Sequence, residues 1–202
     1  YTEAYKQQPD LFVKLFMEDP QAMLDASMEI SKDLKVLVKR IKEETDVDGI
    51  YYSVQSVQSE DADLEFHKKY VEPSDLELLE YINELWDNNM LHICGYADYT
   101  NDLDYYKQYK AKVYNWAVNT EKVSLKEGKE LFGGACVLGG FDNNRETLLD
   151  IGSDEEIKSR VEEIIKEGGN KGIIIGADCT IAPEVGHKRL EAVRKFAREA
   201  SK

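Results

Sequence analysis

Gly168-Gly169-Asn170-Lys171-Gly172-Ile173-Ile174-Ile175-Gly176-Ala177-Asp178-Cys179 is the stretch on which the fold turns. Ahead of it, Ser153 with Glu156 forms a capping-box signature, and a helical pattern runs from there to Lys166. Gly168-Gly169 stops that helix. Gly172 to Ala177 is an uninterrupted apolar run. It has the length of a buried strand and falls far short of the roughly 18 to 20 residues a membrane span needs. A helix, a glycine stop and a short apolar strand make one α/β unit.

The same unit recurs backwards along the sequence. Ser124 with Glu127 opens a helix to about Phe132, followed by a strand over Ala135 to Leu138. Asp102 to Lys107 reads as a short helix before a strand over Lys112 to Val118. Ser74 with Glu77 predicts a capping box for a helix carrying Leu76, Leu79, Ile82 and Trp86, which leads to a strand over Met90 to Cys94. Asp19 and Pro20 open the first long helix, with an apolar stripe of Met23, Ala26, Ile30, Leu34, Leu37, Val38 and Ile41 and an end near Thr45. Gly49 to Val54 follows as a strand, and a last helix covers about Gly186 to Ala200. Five short strands, each preceded by a helix, predict an α/β fold around a parallel sheet buried on both faces. An open doubly wound sheet fits this pattern, and so does part of a (β/α)8 barrel.

A chain of 202 residues suits one domain with a real core. The formal net charge of −14 argues against a nucleic-acid or anionic-lipid partner, because a phosphate-binding face needs clustered Lys and Arg. Three cysteines without paired spacing, and no signal peptide, point to a reducing cytoplasm. There a thiol is more often buried, reactive or metal-bound than disulfide-bonded. The sequence opens at Tyr1 rather than Met, so its start reads as a cut.

The chemistry concentrates in Leu91-His92-Ile93-Cys94-Gly95. Residues two apart on a strand project from one face, so the imidazole and the thiol point together at the strand's carboxyl end. Cys179 lies just past the carboxyl end of the last strand. If both strands line one barrel mouth, His92, Cys94 and Cys179 converge. One imidazole and two thiolates are a three-ligand set suited to Zn2+ with a fourth position open. Two thiolates cancel the charge of the ion, so an incoming sulfur would bind as thiolate and keep its nucleophilicity. The bland alternative is a satisfied buried His beside an inert Cys.

Several segments resemble the uroporphyrinogen decarboxylase superfamily. Phe16-Met17-Glu18-Asp19-Pro20 is similar to its Asp-Pro helix start, and Asp48-Gly49-Ile50 resembles its entry to a strand. Leu91 to Gly95 looks like its His-x-Cys-Gly segment, and Leu138-Gly139-Gly140-Phe141-Asp142-Asn143 is similar to a Gly-Asn-Leu-Asp/Ser-Pro loop, without the Pro. Ile175 to Cys179 takes the place of the final strand and its exit. The resemblance implies a TIM barrel of which these would be the fourth to eighth strands. Residues 1–202 would then be the C-terminal portion of the domain with its N-terminal units missing, a state expected to self-associate through open sheet edges. Within the superfamily the pattern is similar to the corrinoid methyltransferases. That implies His92, Cys94 and Cys179 as ligands of catalytic Zn2+, a small thiol as acceptor, and methylcobalamin or a corrinoid protein as methyl donor. Decarboxylases of the family carry Gly-His-Gly where this chain has Gly176-Ala177-Asp178, which argues against uroporphyrinogen decarboxylation, the second enzyme reading. Their substrate-binding Arg and Asp belong to the missing part. A non-catalytic fold member or fragment is the third reading.

The remaining polar residues at strand exits carry two readings each. Asp178 is either an acceptor for the His92 N–H or the cap of a turn. Gln55 and Gln58 either contact substrate or belong to a polar loop. Asp142, Asn143 and Arg145 either bind a substrate carboxylate or a corrinoid edge, or form an Asx-type turn. Cys136 is expected as a small buried hydrophobe, and His67 and His187 as surface or capping residues.

Overall fold

The computed structural model describes residues 9–55, 63–95 and 100–201, which divide into two compact units. The first, within residues 1–50 and 56–87, is helical. It contains α1 (Pro9–Glu18), α2 (Pro20–Glu44), α3 (Leu64–Tyr70) and α4 (Glu72–Leu85). The Asp19 side chain caps α2 by accepting from the Ala22 N–H at 3.0 Å, with Pro20 in the first turn where its missing N–H costs nothing. Val38 and Ser31 are the buried positions of α2, and the Ser31 hydroxyl donates to the Ser74 carbonyl of α4 at 3.2 Å.

Three expectations fail in this unit. The apolar stripe of α2 is not buried as a whole, since Ile30 and Leu37 are half exposed. The helix meets α4 through Ser31 and Lys35, which lie outside the stripe, and of the stripe itself only Val38 is buried. Ser74 and Glu77 form no capping box. The chain enters α4 at Glu72-Pro73, so Ser74 already lies in the first turn and donates to the Val71 carbonyl, while Glu77 pairs with Lys35 at 2.5 Å. His67 is buried at 2% exposure in α3 rather than on its surface.

The second unit, within residues 51–55 and 88–202, holds the sheet. Its strands are β1 (Tyr51–Val54), β2 (Met90–Ile93), β3 (Val113–Trp116), β4 (Cys136–Phe141) and β5 (Ile173–Ala177), all parallel and in sequential order. That order decides between the two architectures. A doubly wound sheet reverses direction at a switch point, whereas a barrel adds each new strand on the same side as the last. The fold is α/β, a partial TIM barrel.

Period-two alternation splits the sheet into unlike faces. Leu91, Ile93, Trp116 and Val137 are fully buried on one of them, where α6 (Leu125–Leu131) packs on β4 and α8 (Asp154–Gly168) on β5. The face that carries His92 and Asn115 also carries Tyr51 and Ile174, at 51% and 38% exposure. A sheet buried on both faces was expected; the second face is wet toward β1 and β5, which have no outer neighbour among the described residues.

Both predicted boxes at Ser124/Glu127 and Ser153/Glu156 are present and open α6 and α8. The strand predicted to end at Leu138 runs on to Phe141. Gly139 and Gly140 keep pairing with Ile175 and Gly176 although their φ angles are +147° and +112°. A Cβ on Gly140 would sit 2.6 Å from Ile164, so only glycine lets α8 approach the strand this closely. Between β3 and α6 lies α5 (Val118–Glu121), α7 (Leu148–Ile151) precedes α8, and α9 (His187–Ala200) closes the chain. Tyr105–Gln108 is a 3-10 turn where a short helix was expected. Among the described residues, no helix is long and apolar enough to cross a membrane.

Candidate metal centre

β2 delivers two of the three predicted ligands. His92 and Asn115 are register partners, so both side chains rise from the wetter face. Cys94 follows at the strand exit, its N–H bonded to the Val54 carbonyl at 2.8 Å. Cys179 arrives from the exit of β5. The Asp178 N–H, bonded to the Phe141 carbonyl at 2.8 Å, extends the ladder one residue past the strand and turns the next side chain toward β2.

The three meet. The ligand atoms of His92, Cys94 and Cys179 lie within 4.8 Å of one another. The Cys94 and Cys179 sulfurs are 3.9 Å apart, and the Cys179 sulfur is 3.4 Å from His92 Nε2. Tetrahedral zinc, with bonds of about 2.3 Å to sulfur and 2.0–2.1 Å to nitrogen, sets such atoms about 3.8 Å and 3.5 Å apart. The donor set, and the two spacings that involve Cys179, fit that ion. Both cysteines are half-buried and free, so a fourth partner has an approach.

The two thiols perturb each other in opposite directions. Cys94 is pushed far up, first by its hydrogen bond to Cys179 and then by burial. Cys179 is driven down by the Cys94 S–H and by His92. Tyr51 stacks on the His92 ring at 5.5 Å between centroids, and burial followed by the charge of the two sulfurs pushes its hydroxyl up to about 12. Neutral at ordinary pH, that hydroxyl donates to Asn115 Oδ1 at 2.6 Å.

The imidazole does not lean on Asp178. His92 Nδ1 lies 2.5 Å from Asn115 Oδ1. Asp178 is buried and accepts from the Gly140 N–H at 3.2 Å, the Asn119 N–H at 3.0 Å and the Asn119 side-chain amide at 2.9 Å. These bonds run to distant segments at Asn119 and Gly140, rather than to His92 or to a turn of its own. Burial pushes its pKa up, against the hydrogen bonds it receives.

Other strand-exit residues satisfy one another. Asp142 closes an Asx turn by accepting from the Asn144 N–H at 2.9 Å, and Asn143 donates to the Thr180 carbonyl at 3.0 Å, joining the β4 and β5 exits. Arg145 is paired with Asp150 at 2.6 Å and Glu184 at 3.7 Å. Gln55 is exposed at the exit of β1, while Gln58 lies outside the described residues. Cys136 sits half-buried at the start of β4, and His187 opens α9 exposed.

Two residues escaped the sequence reading. Asn115 sits mid-strand and carries no motif. Glu121, on α5, accepts from the Asn101 N–H at 2.8 Å and its side-chain amide at 2.7 Å, and that amide also donates to the Cys94 carbonyl at 3.2 Å. Burial lifts Glu121 above its ordinary 4.5, outweighing both hydrogen bonds. A carboxyl with a raised folded pKa contributes stability that is complete below the unfolded value and is lost as pH rises through the folded one. Glu121→Gln is therefore expected to flatten the decline of Tm as pH rises above the ordinary carboxyl value of 4.5. Parallel curves for variant and parent would refute this.

A sequentially ordered parallel sheet with a His-Cys-Cys cluster at its strand exits defines an α/β barrel protein with a metal-binding geometry. The family model for uroporphyrinogen decarboxylase (URO-D) matches residues 6–200, and the chain belongs to that family of enzymes. Comparison with curated proteins finds no match.

Proposed function

We propose that this protein is a zinc-dependent methyltransferase that moves a methyl group from a corrinoid to a small thiol, with His92, Cys94 and Cys179 as metal ligands. The observation that carries this is the convergence of the three ligand atoms within 4.8 Å, with Cys179 standing at near-tetrahedral distances from both Cys94 and His92. When bound, zinc would lower the pKa of an incoming thiol so that it reacts as the thiolate. The protein's part is charge and direction. Cys94 and Cys179 supply two negative charges against two positive ones, leaving the substrate sulfur electron-rich. His92 completes the set without adding charge. The donor, a free methylcobalamin or one carried by a partner protein, would supply a methyl group that passes to the substrate sulfur, with the electron pair of the C–Co bond staying on cobalt. Gln55, Asp142 and Asn143, at or beside strand exits, would shape the approach of that donor, while the buried Asp178 would act only by holding the loop that carries Cys179.

Methyl transfer from methylcobalamin to a small thiol, followed by loss of the methyl–cobalt absorbance, tests the reading together with elemental analysis. One zinc per chain with thiol methylation supports it. Metal-independent release of carboxyl groups from uroporphyrinogen would instead make the chain a decarboxylase, and neither activity would make it a non-catalytic member of the fold.

We further read the five βα units as the fourth to eighth of an eight-unit barrel, the C-terminal portion of the domain. On this reading β1 and β5 are edges that need a neighbour. The isolated chain is expected to self-associate through them, and a monodisperse 23.1 kDa species in sedimentation would contradict that. Three free thiols, two of them in one cluster, favour a reducing compartment such as the cytoplasm.

A further inference from the structure

Asn115 is fully buried on β3, and its amide uses both sides. Nδ2 donates to the Leu138 carbonyl at 2.8 Å and to the Ala177 carbonyl at 3.3 Å. Oδ1 faces His92 Nδ1 at 2.5 Å and the Tyr51 hydroxyl at 2.6 Å. Side-chain amides are often ambiguous as to which end is which. Here the neighbours decide. Two backbone carbonyls accept and never donate, so the end that meets them must be the NH2. Turning the amide over would press oxygen against two carbonyl oxygens and leave all of them without a donor.

The consequence passes to the imidazole. An amide oxygen accepts only, so a ring nitrogen 2.5 Å from it must carry a hydrogen. We infer that Asn115 is a positioning residue, fixing His92 with a proton on Nδ1 and so turning Nε2 toward the point it shares with Cys94 and Cys179. Tyr51, donating to the same oxygen and stacked on the ring, holds the imidazole in that plane.

The choice of an amide also matters for charge. A metal-ligating His is commonly held by a carboxylate, a backbone carbonyl or water. With two thiolates already balancing a divalent ion, a carboxylate would leave the half-buried cluster anionic. Asn115 gives direction without charge. This tuning role rests on the zinc reading above; the assignment of the Nδ1 proton does not.

The test is 15N-resolved imidazole NMR combined with zinc titration against a competing chelator. The wild-type protein is expected to show a protonated His92 Nδ1, with or without zinc. Asn115→Ala is expected to lose that fixed proton and to bind zinc about 10–100-fold more weakly, the range typical for loss of a group that orients a ligand. Asn115→Asp restores an acceptor and is expected to restore the Nδ1 proton. A folded Asn115→Ala variant with an unchanged spectrum and affinity would overturn the inference. Should that variant not fold, an Asn115→Asp or wild-type protein with the His92 proton on Nε2 alone would overturn it equally. Failure of the methyl-transfer reading is visible separately, as a wild-type protein that keeps its Nδ1 proton yet binds no zinc or transfers no methyl group.

Discussion

Cys179→Ser should leave the protein without stoichiometric zinc after dialysis against a mild chelator, and thiol methylation should fall with it. Four protein ligands to structural zinc are together worth about 10–16 kcal/mol in apparent binding free energy. One ligand in four is then about 3 kcal/mol, or roughly a hundredfold in affinity. Serine is a poor substitute, because a hard alkoxide oxygen replaces a soft thiolate and is rarely deprotonated at neutral pH. The loss also changes the chemistry of whatever metal remains. With one thiolate fewer the set carries a net positive charge and would hold the incoming sulfur more tightly, draining the electron density it needs for attack. Cys94→Ser is expected to behave alike. Cys136→Ser is the control, since that thiol sits at the start of β4, outside the cluster. Elemental analysis of the three variants decides the matter, and full occupancy in Cys179→Ser would remove the ground for the proposed activity.

Asp178→Ala is expected to be the more damaging change to stability. The carboxylate is 2% exposed and accepts three hydrogen bonds, two from Asn119 and one from the Gly140 N–H. Alanine leaves those donors to find water in a space that admits little, at about 1–3 kcal/mol for each one left unsatisfied. Opposing this, burial makes the charge costly to keep, as the upward push on its pKa shows, so removing it returns part of the loss. The net expectation is about 3 kcal/mol, which for a chain of this size lowers Tm by roughly 6–12 °C. Because Cys179 is the next residue, zinc affinity should fall as well. Thermal unfolding followed by circular dichroism reads the first effect. A Tm within about a degree of the parent would mean the three donors are satisfied elsewhere.

How much of this was legible in the sequence differs by element, for physical reasons. His92 and Cys94 were readable because a strand's period of two fixes which side chains share a face, and Cys179 because strand exits gather at one end of a parallel sheet. The capping boxes of α6 and α8 were readable because they are local. Ser74 and Glu77 carried the same signature and failed, since Glu72-Pro73 starts the helix earlier. The buried face of α2 was read correctly at Val38 and missed at Ser31, because α4 chooses the ridge it meets and periodicity alone does not. Gly139 and Gly140 looked like a loop, but the close approach of α8 keeps them in the strand. Asn115 was invisible: its importance comes from four partners on β1, β2, β4 and β5, and only register brings these together. Asp178 was placed in the right neighbourhood, and its choice of partners needed three dimensions.

Cys94 and Cys179 stand 85 residues apart in the chain and 3.9 Å apart in space. An ion held between them would act as a clasp closing β2 onto β5, able to form only once the strands between are in order. Unfolded polypeptide offers no such grip. Metal would therefore favour the folded sheet unit by mass action, by about 2.7 kcal/mol at a free concentration a hundred times its dissociation constant. The helical unit contributes none of the three ligands and gains nothing directly. Supply of the ion would then govern how long the sheet unit survives in a cell, as well as whether it turns over.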